Sequence, residues 1–305
     1  MAAYRARRKR AYRKKAARTT RSRSAPRRSY GRKRTYRKKT SRKRILNITS
    51  RKKRNEMLTW SNTTATGGSK PNAVGAAIVS APSGAFFLWN ATAQQLDTNS
   101  IVSNESSRSA TTCYMRGLSE RIRIQTNSSI PWFHRRICFT TKGQTFLGGG
   151  LQDPTPNNPA NNFVDTSQGM QRLWFNVLNN NTPNTFNTYI GILFRGQLNS
   201  DWNDLILAPV DKSRVTLKSD QTWTIASGNA SGVVRERKLW HPMNNNLVYD
   251  DDEVGDGKST SYVSTDANVG MGDYMVLDIV QAGLGGTSSD LMQIQSNATL
   301  YWHER

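Results

Sequence analysis

Arg121-Ile122-Arg123-Ile124-Gln125 sets charged or polar side chains and isoleucines on alternate positions. A period of two belongs to a strand with one face buried and the other in water. Phe133, Ile137 and Phe139 repeat the pattern nearby, with Arg135 interrupting it and His134 expected on the outer face. Short β-branched and aromatic runs occur at 57–60, 85–89, 173–178, 189–194, 215–217, 222–226, 233–240, 274–280 and 298–302, separated by Gly, Pro, Asn and Asp. No stretch of about a dozen residues holds a 3.6-residue apolar period with caps, so at most one or two short helices fit, near 94–96 or 203–207. The connections at 148–169, 179–187 and 250–272 are long. About nine or ten strands with such loops predict an all-β fold, an antiparallel two-sheet jelly-roll sandwich. There is no repeat at a fixed period, which argues against a propeller or solenoid.

Charge divides the chain in two. Residues 1–54 carry 26 of the 44 Lys and Arg and no acid; the first acid is Glu56. The other 251 residues hold 18 basic and all 21 acidic side chains, a balance of about −3. A segment of +26 repels itself and calls for a polyanion. After Met1, residues 2–44 contain no Leu, Ile, Val, Phe or Met before Ile45, at the end of that run. A disordered N-terminal arm over residues 1–54 and a folded domain over 55–305 are therefore expected. The arm's candidate nucleic-acid ligands are Arg5, Arg7, Arg8, Lys9, Arg10, Arg13, Lys14, Lys15, Arg18, Arg21, Arg23, Arg27, Arg28, Arg32, Lys33, Arg34, Arg37, Lys38 and Lys39. Tyr4, Tyr12, Tyr30 and Tyr36 lie between them, either as rings for unpaired bases or as spacers. Ile45-Leu46-Asn47-Ile48 is the first apolar cluster and the expected point of contact with the body. Arg42-Lys43-Arg44 and Arg51-Lys52-Lys53-Arg54 form a two-part basic cluster of the kind read as a nuclear-import signal. Any basic site on the folded domain would fall to Arg121, Arg123, Arg135 and Arg136.

Other chemistry is weakly signalled. Gly257-Lys258-Ser259 ends like a phosphate-binding loop, but Asp252 stands where the first glycine is required. Asp250, Asp251, Asp252, Glu253 and Asp256 read as a solvated loop, or alternatively as a hard-cation site between subunits. His134, His241 and His303 are far apart and no His or Cys pair has zinc spacing. Cys113 and Cys138 lie in apolar runs and read as reduced, buried thiols, with a bridge between neighbouring strands as the alternative. No enzyme activity, metal or cofactor is expected. Nor is a membrane span or a signal peptide, since no long apolar segment occurs.

Three stretches resemble the capsid proteins of small circular single-stranded-DNA viruses, most closely the genomoviruses. The first is the Arg/Tyr-rich arm running into Lys43-Arg44-Ile45-Leu46-Asn47-Ile48 and Arg51-Lys52-Lys53-Arg54. The second is Leu239-Trp240-His241-Pro242-Met243-Asn244 with Leu247-Val248-Tyr249-Asp250-Asp251-Asp252-Glu253. The third is Gly270-Met271-Gly272-Asp273-Tyr274 with Ala298-Thr299-Leu300-Tyr301-Trp302-His303-Glu304. The middle of the chain, residues 65–230, matches only in strand pattern. The resemblance implies a coat protein that self-associates, in about sixty copies, into a small icosahedral shell around circular single-stranded DNA. It also implies passage through the host nucleus by way of import receptors, and residence in the virion. About sixty arms bring roughly 1,500 positive charges inward, enough for a strand on the order of one to three thousand nucleotides. The rival expectation is a ribosomal or chromatin-associated protein with a basic extension. Such proteins usually carry base on the folded part as well, whereas this body is about −3.

Overall fold

A computed structural model describes residues 41–97, 105–147, 153 and 161–304. In chain order the long strands are β1 (Arg51–Thr63), β4 (Ala85–Asn90), β5 (Thr112–Thr126), β6 (Trp132–Thr141), β9 (Thr216–Ile225), β10 (Val234–Val248), β13 (Asp273–Ala282) and β14 (Leu291–Glu304). Short ones are β2 (Ser69–Val74), β3 (Ala77–Ser80), β7 (Val164–Thr166), β8 (Gly169–Trp174), β11 (Asp252–Val254) and β12 (Gly257–Ser259). The helices are α1 (Arg42–Thr49) and α2 (Pro183–Leu193), with a 3₁₀ turn at Leu178–Asn180.

Two sheets pack into a β-sandwich. The large sheet runs β10-β5-β14-β1-β8-β7, with β2 beside β1 and β3 beside β14. The small sheet runs β4-β13-β6-β9. All long-strand pairs are antiparallel. The alternation at 121–125 is the burial pattern of β5: Arg121 and Arg123 are exposed, Ile122 and Ile124 buried. Met57, Met115, Leu118 and Leu300 from the large sheet share one apolar cluster with Met275, Leu277 and Cys138 from the small one. Ile122, Ile124, Ile294, Trp132, Trp174 and Val280 form a second.

The small sheet is covered on both faces, and β4 and most of β13 are buried residue by residue. Its outer face lies under α2, where Phe86 meets Phe186 edge-on at 5.5 Å between ring centroids. Among the described residues the large sheet has no such cover, and its outer face carries exposed side chains such as Arg121, Arg123 and Trp240. That asymmetry defines where a ligand can reach.

Several expectations are corrected. Residues 189–194 are not a strand; 189–193 end α2 and Phe194 caps it, and the helix's buried Thr185, Tyr189, Ile190 and Leu193 share one face. No helix forms at 94–96 or 203–207, which are an isolated bridge segment and a turn. The run 173–178 leaves the strand at Trp174, and 215–217 and 222–226 belong to one strand, β9. The ordered chain begins before residue 54, in α1 and β1. Ile45 and Ile48 do not dock on the body; they are 48% and 71% exposed. His134 points inward and is fully buried. Arg135 does not interrupt its strand either, as shown below.

Candidate nucleic-acid interface

All the arm candidates from Arg5 to Lys39 lie outside the described residues. Of the import cluster, Arg42, Lys43 and Arg44 belong to α1, whose N-terminal Ser41 hydroxyl accepts from the Arg44 amide at 3.3 Å. Arg51, Lys52, Lys53 and Arg54 open β1. There the period of two separates them. Arg51, Lys52 and Arg54 are exposed, while Lys53 is buried. The Lys53 ammonium meets Glu304 at 3.0 Å and donates to the Ser107 carbonyl at 2.8 Å and to the Ser109 hydroxyl at 3.0 Å. Lys53 is therefore a structural lysine and is unavailable to an import receptor or a phosphate.

The outer face of β10-β5-β14-β1 continues from the exposed residues of β1. Cross-strand register aligns Lys52 with His303 and His303 with Tyr114; it likewise aligns Arg54 with Tyr301 and Tyr301 with Gly117. Lys238, Arg121 and Asn297 form another row. Neighbours in such rows share a face and lie about 5 Å apart. The acids on this face are already engaged: Glu236 meets Arg123 at 2.8 Å and Glu56 lies 4.0 Å from Arg54. Bulges interrupt the register at 116 and at 243–244, and Arg116 donates there to the Asn244 side-chain carbonyl. Partial burial holds the His303 pKa below its usual range, and the neighbouring Arg116 and Lys52 cations lower it further. The patch is positive and its histidine is neutral near pH 7.

Arg135 and Arg136 do not belong to this face. Arg135 lies under the α2 layer and forks onto Asp220 at 2.9 and 2.6 Å, with the Leu205 and Ala208 carbonyls completing its donors. Arg136 lies between the sheets. Its Nε and Nη2 donate to Asp278 at 2.7 and 2.9 Å, and Nη1 donates to Glu120. Arg172 of β8 closes the ring by donating to Glu120 and Asp278, each at 2.8 Å, and stacks its guanidinium 3.8 Å from the centroid of Trp174. Two guanidinium and two carboxylate groups thus neutralise one another between the two apolar clusters. Burial alone would raise both carboxyls; Arg136 and Arg172 overcome it and hold Asp278 and Glu120 below the usual carboxylate range. The His134 Nδ1 accepts from Arg237 at 3.1 Å, so its Nε2 carries the proton and donates to Asp278 at 2.8 Å. Burial lowers its pKa, and it is the neutral form that fits.

The sequence reading missed this cluster, yet it left a signal. Asp278 is the one acid inside Tyr-Met-Val-Leu-Asp-Ile-Val, and Arg135-Arg136 are adjacent inside an apolar strand. In strands buried on both faces such groups must find partners.

The acidic loop is also not wholly solvated. The Asp251 side chain is shielded in a two-pronged pair with Arg108, whose Nη2 reaches Oδ1 at 2.8 Å and whose guanidinium lies 3.7 Å from the Tyr249 ring centroid. Asp252 and Glu253 stand exposed in the β11–β12 hairpin, where Lys258 donates to the Thr111 hydroxyl at 2.9 Å. Among the described residues no three or more His, Cys, Asp or Glu side chains gather as a metal site. Cys113 and Cys138 are free, buried thiols, and burial raises the pKa of each. No family description matches the chain, and no curated protein matches it.

Proposed function

We propose that the chain is the coat protein of a small single-stranded-DNA virus, whose folded domain assembles into a closed shell while the basic arm neutralises the genome. The observation that carries this reading is the strand order. Numbered by chain order, the eight long strands lie as sixth-third-eighth-first in one sheet and second-seventh-fourth-fifth in the other. First pairs with eighth, second with seventh, third with sixth and fourth with fifth, all antiparallel. That pairing supports reading the sandwich as a ribbon of paired strands rolled into two Greek keys, the jelly-roll arrangement that recurs in capsids.

Charge supports the same reading. The body is near neutral, so subunits can pack together, and its spare cations lie on the face where β1 takes over from the arm. Sequence resemblance to genomovirus capsid proteins supplies the DNA and the nuclear passage. The import signal is then Arg42 and Lys43 together with the exposed Arg44, Arg51, Lys52 and Arg54. Replacing these six by Ala, with Lys53 kept, leaves a fluorescent fusion cytoplasmic.

Sedimentation of the purified full chain tests assembly. Sixty copies of a 34.2 kDa chain make a particle of about 2 MDa. A chain that stays monomeric or dimeric across salt and pH, with and without single-stranded DNA, overturns the reading.

A further inference from the structure

We propose that the outer face of the large sheet is a second nucleic-acid subsite, which stacks unpaired bases on Trp240 and Tyr301 while Lys52, Arg116, Arg121 and Lys238 hold the neighbouring phosphates. It rests on the reading of this chain as a genome-packaging protein, and it adds a chemistry that the arm's charge does not supply.

Trp240 stands on the edge strand β10 and is 51% exposed, although it is among the largest apolar side chains in the molecule. Its indole leans over β5 because residue 117 there is glycine. A Cβ at Gly117 would lie 2.7 and 3.0 Å from two carbons of the Trp240 six-membered ring. The space left by that missing Cβ lets the indole reach Tyr301 on β14, with ring centroids 5.9 Å apart and planes tilted by 55°. Two residues along β14 from Tyr301, His303 pairs with Tyr114, with ring centroids 6.1 Å apart and planes tilted by 41°. Two aromatic pairs thus lie on one uncovered face.

Nearly every acid near them is taken. Glu56 and Glu236 sit against Arg54 and Arg123, which among the described residues leaves Lys52, Arg116, Arg121 and Lys238 without an acidic partner on that face. An apolar partner protein would leave those cations desolvated and unpaired, at a cost. A single strand offers phosphates to the cations and ring faces to the aromatics. Each stacked base strengthens binding by roughly tenfold, and stacking tolerates any sequence because every base has a flat face. Bases already paired and stacked in a duplex cannot use the platform, so single strands are preferred. Continuity favours the same occupant, since the arm enters the fold at Arg51 and Lys52, on the border of the patch.

The test uses the full chain and two oligonucleotides of about twelve nucleotides, one normal and one with abasic sites in its centre. Charge and length are equal; only the bases differ. The wild type binds the normal strand about tenfold more tightly. Trp240→Ala with Tyr301→Ala lowers affinity for the normal strand about tenfold, closes the gap with the abasic strand and leaves the salt slope unchanged. Trp240→Phe restores part of the gap. In the wild type, an iodouracil-containing strand cross-links to Trp240 or Tyr301, a readout that needs no variant to fold.

Equal binding of both strands by the wild type overturns the proposal. So does a gap that survives the double variant, which moves the stacking to the arm tyrosines. A double variant that alters sedimentation while keeping the gap makes the face a contact between copies and also overturns it. Failure of the parent reading looks different: neither strand then binds in a salt-dependent way.

Discussion

Replacing Asp278 by Asn removes one charge from the centre of the sandwich and changes almost no volume. The carboxylate accepts four hydrogen bonds at 2.7–2.9 Å, two from Arg136, one from Arg172 and one from His134. Asparagine offers a single acceptor oxygen and turns an amide toward donors. Arg136 and Arg172 are then left with Glu120 alone, and one positive charge is buried without compensation. Breaking a buried pair on one side costs about 3–5 kcal/mol. For a body of this size that is a fall of roughly 6–20 °C in Tm. Thermal unfolding of the full chain at fixed concentration, followed by dye fluorescence, measures it. Asp252→Asn on the exposed β11–β12 hairpin is the control and stays within about 0.5 kcal/mol. If Asp278→Asn unfolds within about 1 kcal/mol of the wild type, the cluster is not the electrostatic centre described above, and water or a relaxed side chain must satisfy the two guanidinium groups.

Other expectations follow from the same contacts. Lys53→Ala strands the Glu304 carboxylate and lowers stability by about 3 kcal/mol, whereas Lys52→Ala, one residue away, leaves Tm unchanged and weakens DNA binding; denaturant midpoints and a binding titration separate the two. Deleting residues 1–40 removes 19 basic side chains and flattens the salt dependence of binding to single strands; a truncated chain within about tenfold of the intact one at moderate salt would move the main site to the body. Stability also falls on acidification. His134 and His241 have folded pKa values below the unfolded 6.5, about 4 for His241, through burial first and then nearby arginines. Their contribution is therefore complete above pH 6.5 and is lost as pH drops toward 4. Asp273 opposes them, because burial raises it to about 6 and its contribution is lost as pH rises through that value. Asp273→Asn should steepen the loss between pH 6.5 and 4 in midpoints measured against pH, and a flat profile for both proteins would contradict these assignments.

The strands were legible because period and burial coincide. Along β5 and β14, one face meets core and the other meets water, so alternation in the sequence is alternation in space. α2 was hidden for the opposite reason. Its Pro183 start is a fair signal, but its N-terminus is capped from a distance: Asp153 accepts from the Asn184 and Thr185 amides at 3.0 and 2.7 Å. Its apolar, β-branched end at 189–194 mimics a buried strand, and only the layer it covers decides between them. The division between exposed and buried base was partly readable. Arg121 and Arg123 follow their strand's period outward, whereas Arg135 and Arg136 are adjacent and must face opposite ways, into two layers that only the fold brings to them. The aromatic platform was not readable at all. Trp240, Tyr301 and Gly117 are more than a hundred residues apart for two of the three pairs, and their juxtaposition depends on β5 lying between β10 and β14.

Electron microscopy of the purified full chain mixed with circular single-stranded DNA tests the central claim most directly. The account predicts closed, uniform shells with the DNA inside, protected from added nuclease. Free subunits or open aggregates, with the DNA digested as fast as it is without protein, would contradict it.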